Sequence, residues 1–156
     1  MKMLLITTTR KTCKNTLKFA KFLSNCFPLS IFEPRGKKGV FDLVDRARLK
    51  GCTRIAIIST KKGNPYLVRI IKVQLDNWNY LAELIVHGYK YIETIKKFEN
   101  IQFIGPMKEN FLKIFDQESF EEGPKFDATD TEIKIIDGKK EVLKLKYSLR
   151  WFDERQ

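Results

Sequence analysis

Eight cations carry the clearest chemical signal in this 156-residue sequence, and they fall in three short clusters: Arg10, Lys11 and Lys14; Arg35, Lys37 and Lys38; Lys61 and Lys62. Gly36, Gly39 and Gly63 stand among them, and a glycine lets backbone approach a phosphate closely. The chemistry such clusters do is anion binding. A fourth set alternates along the last segment, where Lys144, Lys146 and Arg150 share one face of a strand pattern. Across the chain 30 Lys and Arg stand against 19 Asp and Glu, a net charge of +11. Heat-adapted, lysine-rich surfaces usually balance Lys with Glu, and this chain does not. The excess points to nucleic acid or another polyanion as the partner.

A catalytic constellation is absent from the pattern. The one histidine, His87, lies in a strand-like segment without an acidic or cysteine neighbour in sequence. No phosphate-binding P-loop motif, nucleophile elbow, zinc-protease helix or dinucleotide fingerprint occurs. Asp42 and Asp45 share a helix with Arg46 and Arg48, so salt bridging, an Asp42–Arg46 pair included, is the expectation there. Glu121, Glu122, Asp127 and Asp130 fall in a polar stretch, and a metal-assisted RNA-processing enzyme using them is a minor alternative reading. The expectation is therefore no enzyme, no metal, no cofactor and no small-molecule substrate. Cys13, Cys26 and Cys52 are odd in number and lack CxxC spacing, which fits reduced thiols in a cytoplasmic protein. No apolar run is long enough to span a membrane, and the N-terminus runs straight into a strand pattern rather than a signal peptide.

The elements that must position the clusters follow from periodicity. Residues 3–8 read as a buried strand, and a helix capped by Thr12 runs to about Asn25. Lys14, Lys18, Lys21 and Asn25 form its polar stripe, and Phe19, Phe22, Leu23 and Cys26 its apolar one. Residues 29–32 read as a second strand. A helix follows from Val40 to Lys50, with Val40, Val44 and Ala47 inward, and a third strand covers 53–60. Further on, 66–74 and 78–87 read as antiparallel strands, 101–104 as a short strand and 107–115 as a helix with Phe111, Leu112 and Phe115 inward. Residues 118–130 read as a loop, and the end as a hairpin turning at Asp137-Gly138. The fold class is α/β with a mixed sheet: β-α-β-α-β, then antiparallel hairpins with one helix. Parallel pairing of the first three strands would bring all three cationic clusters to one carboxyl edge, where α/β sheets commonly bind ligands. Two of the clusters precede helix N-termini, which favour phosphate. Tyr66, Trp78, Tyr80 and Tyr147 are candidate stacking partners for bases.

The same segments carry a family resemblance. Ile6-Thr7-Thr8-Thr9-Arg10-Lys11, Phe19-Ala20-Lys21, Arg35-Gly36-Lys37 and Ser59-Thr60-Lys61-Lys62-Gly63-Asn64-Pro65, in this order across residues 4–65, resemble the Brix domain family. The shortness of the chain resembles its archaeal single-domain members. The resemblance implies a non-catalytic ribosome-biogenesis factor that binds ribosomal RNA precursors, with other assembly proteins as further partners. It implies one domain over 1–156 whose two similar halves, roughly 1–75 and 76–156, are each like the class IIa anticodon-binding domain. No sequence repeat is evident. It also places Arg10, Lys11, Arg35, Lys37, Lys61, Lys62 and Asn64 on the RNA-facing surface. A tRNA-binding or ribosomal protein module of another class is the alternative.

Overall fold

The computed structural model describes residues 2–93 and 95–152. Their elements are β1 (Met3–Thr8), α1 (Lys14–Cys26), β2 (Ser30–Phe32), α2 (Val40–Leu49), β3 (Cys52–Lys61), β4 (Asn64–Val73), β5 (Trp78–Tyr91), β6 (Gln102–Ile104), α3 (Lys108–Phe115), β7 (Lys125–Ala128), β8 (Glu132–Asp137) and β9 (Lys140–Trp151). Among these residues the nine strands form one mixed sheet in the order β2-β1-β3-β4-β5-β9-β8-β7-β6. β2, β1 and β3 are parallel; β4, β5, β9, β8 and β7 follow antiparallel; β6 closes the far edge parallel to β7. No helix is long and apolar enough to cross a membrane.

Two apolar clusters hold the layers together. On one side of the sheet, Phe19, Phe22 and Phe27 of α1 and its C-terminal end pack with Phe111 and Phe115 of α3. Val68, Leu84, Phe126, Leu143 and Leu145 of the strands join them. Phe19 of α1 also packs on Tyr89 and Tyr91 of β5, and the cluster leaves an apolar void of only about 30 Å³. The other side has a smaller cluster, in which Leu43, Val44 and Ala47 of α2 cover Leu5, Ile55, Ile57 and Ile71. Removing this much apolar surface from water is the main drive for the fold. Lys97 ties the second half to the first: its ammonium donates to the carbonyls of Ser24, Phe27 and Ser30, where α1 has run out of intrahelical partners.

Several local expectations change. Cys13, not Thr12, occupies the N-cap of α1, and it makes no side-chain cap bond. Asp42 accepts the Gly39 N–H at 3.0 Å to cap α2, and Arg46 turns away from it to Glu33. Glu33 is buried at the end of β2, and a buried carboxylate requires charged donors more strongly than an exposed one. Val40 is only half-buried, and Leu43 takes the inward place. The last hairpin turns at Gly138-Lys139, because Asp137 pairs with Lys140, and Gly138 takes the positive φ that the first central position needs. The stretch read as a loop contains β7, which is held by pairing on both sides, parallel to β6 and antiparallel to β8.

A candidate nucleic-acid interface

The three loops that follow β1, β2 and β3 meet at the carboxyl edge of the parallel strands, joined by hydrogen bonds between them. Arg35 donates from Nη1 to Thr8 O at 3.1 Å and from Nε to Lys38 O at 2.7 Å, and Arg10 Nε donates to the same Lys38 carbonyl at 3.3 Å. Gly39 lies beside this contact, where a Cβ would stand 3.2 Å from Arg10 Nη2. Asn15, in the first turn of α1, donates to Gly63 O at 2.9 Å, and Cys13 Sγ lies 3.0 Å from Thr60 Oγ1. Burial pushes the Cys13 thiol up, but hydrogen bonding to Thr16 and Thr60 outweighs it and sets the thiol below its ordinary value.

Not every cation of the clusters is equally available. Arg10, Lys11, Lys14, Lys37, Lys61 and Lys62 are exposed. Arg35 is half-buried, burial together with the charge of Arg10 depresses its pKa, and its bonds to Thr8 O and Lys38 O tie it into the loop architecture. Lys38 reaches back to Pro34 O and towards Glu33. Asn64 is engaged as well: it accepts from Tyr89 Oη at 2.7 Å and donates to Lys62 O at 3.2 Å. Lys62 and Gly63 both have positive φ, 52° and 77°, the pattern of a tight two-residue hairpin turn whose twist matches its strands.

The Lys144, Lys146 and Arg150 stripe lies on the side of the sheet that α2 covers elsewhere. Over β5, β9 and β8 that side is open, with His87, Lys146, Ser148 and Arg150 exposed. Register puts Lys90 of β5, Lys144 of β9 and Lys134 of β8 side by side in one cross-strand row. Like charges directly opposite each other destabilise a sheet, so such a row is kept against local cost. Further along, Glu83 sits between Arg69 and Arg150, 3.4 Å from each.

The strand-end loops and the open sheet face adjoin at two places. A cleft of about 590 Å³ is lined by Lys61, Lys62, Tyr66, His87 and Tyr89, and His87 also lines a second cleft with Glu132, Lys146 and Ser148. On the other flank, Arg35 and Arg69 line one cleft beside α2. Sequence reading missed Lys90, Lys134 and Arg69. Lys134 and Arg69 alternate with apolar residues along their strands, but only the pairing shows that they share a face with Lys144 and Arg150.

The remaining candidates sort differently. Tyr147 is buried in the core and donates to Thr129 O, so it presents no stacking face; burial raises its pKa to about 12. Lys61 Nζ lies 4.6 Å over the ring of Tyr66. Glu121, Glu122 and Asp130 are exposed, and Asp127 lies in β7 against Gly105. Among the described residues no group of three or more His, Cys, Asp or Glu is arranged to hold a metal ion.

No family model matches the chain. Over 88 residues it is 41% identical to a probable Brix domain-containing ribosomal biogenesis protein of Pyrococcus abyssi, a stretch that is 56% of this chain and 39% of that one. A protein of the same description from Thermococcus kodakarensis is 39% identical over 99 residues, 64% of this chain and 47% of its own length. The chain thus spans less than half the length of the curated relatives it matches, and the resemblance to the Brix domain family is borne out by them. Among solved structures, a probable ribosomal biogenesis protein from Aeropyrum pernix K1 superposes with a TM-score of 0.78 at 18% identity, covering 95% of this chain and 96% of that one. An archaeal Imp4-like protein superposes with a TM-score of 0.71 at 19% identity, covering 95% and 99%. These two likenesses establish the fold.

Proposed function

We propose that this relative of archaeal Brix domain proteins is a non-catalytic factor of ribosome biogenesis that binds precursor ribosomal RNA through its strand-end loops and open sheet face. The observation that carries the reading is the continuity of the two basic surfaces at His87 and beside Arg69. Phosphates give affinity without sequence information, so a surface of separate lysines and arginines around a rigid sheet suits an irregular RNA held in shape rather than a read sequence. The names of the curated relatives supply the ribosomal context. The reading extends to precursor processing and subunit assembly alongside other assembly proteins, in the cytoplasm.

The two-halves architecture belongs to the same proposal. Each edge of the sheet is a parallel pair linked through one helix, β1-α1-β2 at one edge and β6-α3-β7 at the other. That arrangement supports two related halves, roughly 1–75 and 76–156, like the class IIa anticodon-binding domain.

Sedimentation of cell extract through a sucrose gradient tests the role. The protein is expected with precursor subunits and their unprocessed RNA and not with mature subunits. Stable residence on mature subunits would make it a ribosomal protein instead, and absence from both would end the reading.

A further inference from the structure

The cleft beside α2 has a composition unlike the rest of the basic surface. It encloses about 230 Å³, with Ile57 and Leu67 as its floor, the half-buried ring of Tyr80 as one wall, and Arg35 and Arg69 at its rim. An electrostatic phosphate seat needs no apolar floor or aromatic wall. A flat, partly apolar ring with polar edges needs both.

The wall is fixed. Trp78 meets Tyr80 edge-on, with centroids 5.6 Å apart and planes at 85°, and Phe152 packs on it at 5.8 Å. Phe41 in turn meets Trp78 edge-on at 5.7 Å. The Arg69 guanidinium lies over the Tyr80 ring, 5.5 Å from its centroid, and is held there by Glu83, to which its Nε and Nη2 donate at 3.4 Å. Two of the five Arg35 N–H donors are held by Thr8 O and Lys38 O, and the guanidinium remains at the rim. Ser59 makes only a long 3.5 Å bond, to Leu67 O.

We propose that this cleft receives one unpaired nucleobase of the bound RNA, its face on the Arg69 guanidinium layered over Tyr80 and its edge towards Arg35 and the Ser59 hydroxyl. The inference rests on the reading of the sheet face as an RNA interface, and it adds single-strand selectivity that phosphate contacts cannot supply. The donor-rich rim favours the carbonyl-bearing edges of uracil and guanine over adenine, which has no carbonyl.

The test uses the whole chain with two RNA probes, a single-stranded 12-mer of uridine and a 12-base-pair duplex. Tyr80→Leu is expected to weaken the uridine 12-mer about tenfold, the scale of one lost base stack, and to leave the duplex within twofold. Tyr80→Phe keeps a stacking face and is expected to stay within threefold of the original protein on both probes. In a Trp151→Phe background, with Tyr80 unaltered, Trp78 reports on the cleft through its edge-on contact with that ring: its fluorescence should change on adding the uridine 12-mer and not on adding duplex. The inference is overturned if Tyr80→Leu affects both probes equally or neither, or if Trp78 does not distinguish them. Should the unaltered protein bind neither probe, the RNA reading itself falls, a result separable from failure of the cleft alone.

Discussion

Tyr89 of β5 donates its phenol hydrogen to Asn64 Oδ1 at 2.7 Å, linking the middle of the sheet to the turn that carries Lys61 and Lys62. Burial raises the Tyr89 pKa, with a smaller push from nearby Cys13, so the phenol stays a donor across the physiological range. Asn64, placed on the RNA surface by the family resemblance, therefore acts first as a brace for that surface. Tyr89→Phe and Asn64→Ala should each cost about 1 kcal/mol of stability, the usual net worth of such a bond. The double variant should lose clearly less than the sum, as measured by urea unfolding. Strict additivity would show that the two residues do not act together.

Lys62 holds a left-handed backbone conformation at a position that favours Asn or Gly. Relieving that strain by Lys62→Asn should raise stability by about 1 kcal/mol, or roughly 2–4 °C in Tm. The same change should weaken RNA binding by removing a cation. A lysine that lowers stability and raises affinity is expected at a binding surface, and a variant that loses on both counts would contradict that division.

Glu33 is buried at the end of β2, where Arg46 hydrogen-bonds it at 2.7 Å and Lys50 and Lys38 stand 3.3 and 3.8 Å away. The Arg46 bonds, outweighing burial, hold its carboxyl below the usual carboxylate range. Folding therefore favours the ionised form. Its contribution is complete above the ordinary glutamate pKa of about 4.3 and is lost as pH falls through the lower folded value. Glu33→Gln should cost about 2 kcal/mol at pH 7. The gap between variant and original should narrow as urea unfolding is repeated at falling pH below that value. A gap that stays constant from pH 7 to pH 3 would contradict the ion cluster.

The N-terminal half was legible because its signals are local. The α1 stripes, the Gly36–Gly39 loop and the glycine turn after β3 each follow from neighbours in sequence, and parallel crossovers then bring the loops together. What escaped depends on distant partners. β7 is four residues after a Gly-Pro pair, with no periodicity long enough to separate it from a loop, and pairing with β6 and β8 makes it a strand. Helical spacing pairs Arg46 with Asp42, its neighbour one turn back, but Glu33 lies outside the helix and is more deeply buried. The position of the Lys144 stripe depended on β9 pairing with β5, a contact across more than 50 residues that no local pattern specifies. Pairing also brings Lys90 and Lys134 to flank Lys144 and so defines the row.

The central claim, one RNA surface made of strand-end loops and sheet face, is tested most directly by the salt dependence of binding to a single-stranded ribosomal RNA fragment. Each phosphate contact contributes about −0.7 to the slope of log affinity against log salt on single strands. Replacing Lys61 and Lys62 by Gln should make the slope shallower by about 1.4, and replacing Lys144 and Lys146 should do the same. The quadruple variant should show roughly the sum. An unchanged slope in the Lys144/Lys146 pair would confine binding to the loops, and an unchanged slope in both pairs would contradict the surface altogether.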